Sequence, residues 1–138
     1  MPNKYIIDTC SLVNPFRGSF RIKVVPSFWE EMKKRIISGE IIICEPVYDE
    51  ICKNKDELTF WLKSIVDHTG LIYKMNASVM TDYSLVVNHV NNNYTHIKES
   101  GIRIFLSGAD PAVIAFAKSM NLPIITEELY DSQTKSKV

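Results

Sequence analysis

The amino-acid sequence predicts an α/β fold: a three-layer α/β/α sandwich with a mainly parallel central sheet of four to five strands. Three observations predict it. Short apolar runs such as Ile41 to Cys44 lack the polar alternation of a half-exposed strand and read as strands buried on both faces. Segments with helical spacing separate those runs. The 138 residues, 46% hydrophobic and 23% charged, suffice for one core and are unlike a disordered chain.

Taken in order, Lys4 to Asp8 (KYIID) is a first strand closed by a carboxylate. Residues 9–26 contain Asn14-Pro15 and Arg17-Gly18 and read as a loop. Ser27 with Glu30 three residues on is a capping box, which should start a helix running to Ser38, with Gly39 as its left-handed terminator. Ile41 to Cys44 is the second strand, and Pro46 suits the first turn of a helix after Glu45. Val47, Ile51, Leu58, Leu62 and Ile65 recur at roughly helical spacing, with a break near Asn54 and an end at Gly70. Leu71 to Lys74 reads as a third strand, and Ala77 to Glu99 as a helix followed by Gly101. Asp110 as N-cap with Pro111 at the first helical position opens a helix that Asn121 can end. Leu122 to Thr126 (LPIIT) is the last strand.

Bulk properties exclude several classes. Lys plus Arg is 16 and Asp plus Glu is 16, so the net charge is zero. That excludes a uniformly basic DNA-coating protein and a strongly acidic tail, while leaving local patches open. The apolar run Ala112 to Ala117 falls far short of the ~18 residues a membrane span needs, so no membrane partner is expected. Met1 to Lys4 leads straight into the first strand, unlike a signal peptide. Cys10, Cys44 and Cys52 are odd in number and lack CxxC spacing, which suits reduced thiols of a cytoplasmic protein. His68, His89 and His96 show no ligand spacing and read as surface or helix-flank residues.

Ligands of parallel sheets bind outside the carboxyl ends of the strands. Asp8 ends the first strand, Glu127 and Glu128 follow the last, Asp110 opens the helix before it, and Asp49 and Glu50 lie on the first turns after the second strand. Carboxylates gathered there repel one another, and a hard divalent cation relieves the repulsion. Magnesium or manganese so held can polarise a phosphodiester and lower the pKa of an attacking water. Without His or Cys ligands, the cluster suggests phosphodiester chemistry more than a zinc hydrolase. Each acid has a plainer role: Asp110 as a helix cap, Asp8 as a strand terminator, Glu50 and Asp49 as solvated helix residues, Glu45 as a dipole partner, Glu127 and Glu128 as a surface pair. Only their joint placement sets them apart.

The zero net charge is also made of separated parts. Residues 17–37 carry Arg17, Arg21, Lys23, Lys33, Lys34 and Arg35 against Glu30 and Glu31. Between residues 110 and 131, Asp110, Glu127, Glu128 and Asp131 face only Lys118. The basic stretch is either a solvated helix face or a surface for RNA phosphates, with Arg17, Arg21, Lys33, Lys34 and Arg35 as the candidate contacts. Phe16, Phe20, Phe28 and Trp29 interleave there, for base stacking or for core packing.

Four blocks carry a resemblance: Tyr5-Ile-Ile-Asp8-Thr-Cys-Ser11, Val47-Tyr-Asp-Glu50-Ile, Ala109-Asp110-Pro-Ala-Val-Ile-Ala-Phe-Ala117 and Ile124-Ile-Thr126-Glu-Glu128. In order and spacing they resemble the PIN domain, and more narrowly the VapC-like toxins and a related bacterial PIN-like family of uncharacterised function. The resemblance implies a Mg2+- or Mn2+-dependent endoribonuclease, the toxin of a toxin-antitoxin pair. Asp8, Glu50, Asp110 and Glu128 would be its metal-holding and catalytic acids. The family usually has Asp where Glu128 stands, and Glu127 is the neighbouring candidate. Thr126 matches a family threonine, and Thr9 and Ser11 supply hydroxyls near the first acid. The resemblance further implies an RNA substrate, an antitoxin protein partner and a homodimer. PIN domains continue into a fifth strand beyond this point, so residues 1–138 read as a single PIN-like domain lacking the C-terminal edge strand. The alternative is a catalytically inactive PIN-like domain that binds a protein or RNA. A phosphotransfer or receiver-type domain fits less well: Asp8-Thr-Cys is not Asp-x-Asp-x-Thr, and there is no Gly-rich phosphate loop.

Overall fold

Isoleucine builds the sheet. In the computed structural model, which describes residues 3–66, 70–93 and 99–126, strands β1 (Tyr5–Ile7), β2 (Ile41–Cys44), β3 (Ile72–Tyr73) and β4 (Ile124–Ile125) pair in the order β3-β2-β1-β4. Every pairing is parallel, with Ile6 opposite both Ile42 and Ile124, Ile7 opposite Ile125, and Ile43 opposite Ile72. Branched side chains pack well on a pleated surface. Ile6, Ile7, Ile42 and Ile43 on the two central strands are fully buried, as a parallel sheet covered on both faces requires.

Seven helices lie among the described residues: α1 (Cys10–Arg17), α2 (Pro26–Ile37), α3 (Glu45–Cys52), α4 (Glu57–Val66), α5 (Ala77–Asn93), α6 (Glu99–Ser107) and α7 (Asp110–Met120). The architecture is α/β with an all-parallel sheet, consistent with a three-layer α/β/α sandwich. Helix α7 packs against β1, β4 and α5, and α3 contacts β2, β3 and α7. No helix among the described residues is long and apolar enough to cross a membrane.

Several sequence expectations hold. Gly39 ends the α2 turn with φ +85°, a conformation only glycine adopts without strain. Asn121 caps α7 in the left-handed region, and α3 and α4 break apart where Lys55 takes a positive φ. Others fail for identifiable reasons. Residues 10–17 are a helix, not a loop, although Pro15 lies inside it. Burial of Ser11, Leu12 and Pro15 on one face outweighs the missing backbone donor. Helix α2 has no capping box: it starts on Pro26, whose fixed φ suits the first helical position, and Ser27 makes no cap bond. Ala109, not Asp110, is the N-cap of α7. Helix α5 is described from Ala77 to Asn93, the rest of the expected helix up to residue 98 lies outside the described residues, and Gly101 falls inside α6.

The interleaved aromatics pack rather than lie open. Trp29 is buried and meets Phe28, Trp61 and Phe16 edge-on, with ring centroids 5.2, 5.0 and 6.4 Å away. Its indole N–H donates to the Phe20 carbonyl at 2.6 Å. Only Phe20 of this group is exposed.

Candidate active-site cleft

The strand order creates a crevice. From β1 the chain winds outward through β2 to β3, then returns to place β4 on the other side of β1. At such a switch point the connections leave in opposite directions and a ligand site opens beyond the strand ends. Asp8 follows β1 there, and Thr126 follows β4.

Hydrogen bonds stitch this seam. The Asp8 N–H donates to the Ile125 carbonyl at 3.0 Å. The Thr126 hydroxyl donates to Asp8 Oδ2 at 3.1 Å, and the Cys10 thiol lies 3.4 Å from the same oxygen. The Ser11 hydroxyl donates to the Ile125 carbonyl at 3.2 Å, so it fastens β4 to α1. Asp8 is only 6% exposed, and its carboxylate orientation is set by these donors.

Two more acids reach the same place from elsewhere. Glu50 lies on the second turn of α3, and its Oε2 accepts the Ala109 N–H at 2.8 Å, tying α3 to the start of α7. Asp110 is the first residue of α7, where a negative charge suits the helix N-terminus. Asp8, Glu50 and Asp110 line one cleft of about 440 Å3. Asp49 points to solvent. Glu127 and Glu128, and the expectation of a missing fifth strand, lie outside the described residues.

The rest of the lining comes largely from α1. Thr9, Cys10, Asn14 and Arg17 share the cleft, the last three at helical spacing, while Ser11, Leu12 and Pro15 turn to the core. Thr9 is 8% exposed, and its hydroxyl is buried with no hydrogen-bond partner, which leaves a polar atom unsatisfied at the cleft. Lys53 and Asn54 close the far side, where α3 ends.

As donors for a cation the cleft offers hard oxygens, the kind Mg2+ and Mn2+ prefer. Among the described residues no three His, Cys, Asp or Glu side chains are grouped to hold a metal ion between them. Mg2+ usually keeps several waters and takes only one or two carboxylates directly, so a shared cleft suits water-bridged contact better than a closed cage. The donor set therefore fits such an ion in type.

Of the predicted RNA contacts, Arg17 lines the cleft and Arg21, Lys33, Lys34 and Arg35 do not. Arg35 is paired with Glu31 at 3.2 Å and Glu40 at 2.7 Å. Sequence reasoning missed Asn14, Lys53 and Asn54. The signal for Lys53 and Asn54 was their place three and four residues after Glu50, one helical turn on. Asn14 was hidden because α1 read as a loop.

Cys44, at the end of β2, is fully buried. Burial pushes its thiol up to about 11, and the nearby Asp8 charge adds to the effect.

The chain belongs to DUF4411, a domain of unknown function, matched over residues 5–138. No curated protein and no solved structure matches the chain. The DUF4411 match takes in every residue of the seam and the cleft, from Asp8 to Thr126.

Proposed function

We propose that this DUF4411 chain is a PIN-type, Mg2+- or Mn2+-dependent endoribonuclease. The observation that carries the reading is the convergence of Asp8, Glu50 and Asp110 on one cleft at the switch point of a parallel sheet. They come from the end of a strand and from two different helices. Core packing alone does not ask for that convergence. The resemblance to VapC-like toxins extends the reading to the toxin of a toxin-antitoxin pair, with an antitoxin as protein partner.

Asp8, Glu50 and Asp110 would hold the cation, with Glu128 completing the set. The cation would lower the pKa of an attacking water and offset charge on the scissile phosphate. Asp8, whose orientation is set by Thr126 and Cys10, would accept the proton the water gives up. The water oxygen forms the new P–O bond, the P–O bond to the leaving ribose oxygen breaks, and a solvent proton completes the leaving group. The Thr9 hydroxyl, unsatisfied within the protein, is a donor for a phosphate oxygen or a bound water.

Cleavage of single-stranded RNA should require Mg2+ or Mn2+, stop in EDTA, and be lost in Asp8→Asn and Asp110→Asn. Cleavage undiminished in either variant, each confirmed folded by circular dichroism, overturns the reading. The second reading, a non-catalytic PIN-like domain, is favoured by the lack of a ready three-acid metal group among the described residues. Titration of Mn2+ separates the two. Binding that Asp8→Asn abolishes supports the enzyme, and no carboxylate-dependent binding supports the alternative.

A further inference from the structure

The cleft that holds three carboxylates also holds two cations. Arg17, in the last turn of α1, and Lys53, the C-cap of α3, both line it. Neither makes a side-chain ion pair or hydrogen bond among the described residues, although three acids share the space. Elsewhere on this protein, Arg35 is paired with two acids and Lys118 with Asp82. A cleft whose two cations have no ion partner among the described residues is suited to a ligand that brings an anion. Carboxylates alone would repel a phosphodiester, and the two cations permit its approach. Each cation also has an amide beside it: Asn14 lies one turn before Arg17 on the same face, and Asn54 follows Lys53 directly. A carboxamide both donates and accepts, as recognition of a base edge or a ribose 2′-hydroxyl needs.

We propose that Arg17 and Lys53 are the phosphate-binding residues of this cleft, and that Asn14 and Asn54 contact the nucleoside of the same RNA segment. The proposal rests on the RNA reading above and names the residues that seat the substrate. Arg17 presents a planar fork that suits two phosphate oxygens, and Lys53 acts as a point charge. The cleft volume, about 440 Å3, is in the range of nucleotide-sized sites.

The test measures binding apart from cleavage. Fluorescence polarisation would follow a short fluorescein-labelled single-stranded RNA of mixed sequence in EDTA, for the full chain and for Arg17→Gln, Lys53→Gln and the double variant. Each single change should weaken binding roughly fivefold and reduce the salt slope by about 0.7. Lys63→Gln, an exposed α4 change outside the cleft, should do neither. Asn14→Ala with Asn54→Ala should narrow the preference for RNA over DNA of the same sequence. Wild-type affinity and salt slope in the Arg17/Lys53 double variant, or no RNA binding by the full chain, overturns the proposal. The two readings fail separately. RNA binding that depends on Arg17 and Lys53, without cleavage in Mn2+, sinks the enzyme and keeps this site; Mn2+-dependent cleavage with unchanged KM in the double variant does the reverse.

Discussion

Glu50 has two jobs that substitution can separate. Its Oε2 accepts the N–H of Ala109, a residue only 4% exposed, at 2.8 Å. Glu50→Ala removes the acceptor and leaves a buried donor unsatisfied, at a cost of roughly 1–3 kcal/mol. It also removes a negative charge beside the start of α7, worth about 0.3–1 kcal/mol. A total near 2 kcal/mol should lower Tm by roughly 6 °C for a domain of this size. Glu50→Gln keeps an acceptor oxygen and loses only the charge, so its Tm should fall by about 3 °C or less. Thermal unfolding at neutral pH, followed by circular dichroism, measures both. The proposed activity, by contrast, should vanish in both variants, because an uncharged amide is a poor cation ligand. Equal Tm losses in the two variants, or none in Glu50→Ala, would refute the hydrogen-bond argument. Full activity in Glu50→Gln would refute the catalytic one.

Further outcomes are open to measurement. Cys44, buried and with its pKa raised from an ordinary 9.0 to about 11, should stay unmodified by iodoacetamide at about pH 8 while Cys10 and Cys52 react, as peptide mass spectrometry would show. The same shift makes the protein less stable in alkali. Above pH 9 the unfolded thiol ionises while the folded one does not, so stability present below pH 9 falls through pH 11, and Cys44→Val should flatten that fall in urea titrations. Trp29→Ala should cost about 3–5 kcal/mol in urea unfolding, whereas Phe20→Ala, at a residue 46% exposed, should cost about 1 kcal/mol or less. Asn121→Ala should cost about 1–2 kcal/mol because the residue sits at φ 54°, and Asn121→Gly should be close to neutral by the same unfolding assay.

How much the sequence discloses depends on how local the cause is. Strands β1 and β2 are readable because their isoleucines must be buried on both faces, β4 because its short apolar run is part-buried against the core, and Asp8 because it closes β1. The switch point follows from strand order, which rests on pairing between residues far apart and leaves no mark in any short window. Helix α1 was hidden by Asn14-Pro15, since tertiary burial of Leu12 and Pro15 overrides a local breaker. Hiding that helix also hid the face that carries Asn14 toward the cleft. Glu50 was legible as an acid near the site, but its bond to Ala109 joins residues 59 apart and needed the fold itself. Asp110 was legible in place and misread in detail, as a cap where Ala109 is the cap.

The seam between β1 and β4 also has a consequence for timing. Asp8 takes its orientation from Thr126, which is 118 residues later, and its strand takes a neighbour from Ile124 and Ile125. On the ribosome, β1 emerges early and can pair with β2, but Asp8 lacks its Ile125 and Thr126 partners until β4 arrives. Closing so long a loop is entropically costly and adds to the non-local contacts that slow folding. A chain under synthesis therefore carries its acids apart, and whatever chemistry the cleft performs is withheld until nearly all of the described fold has been made.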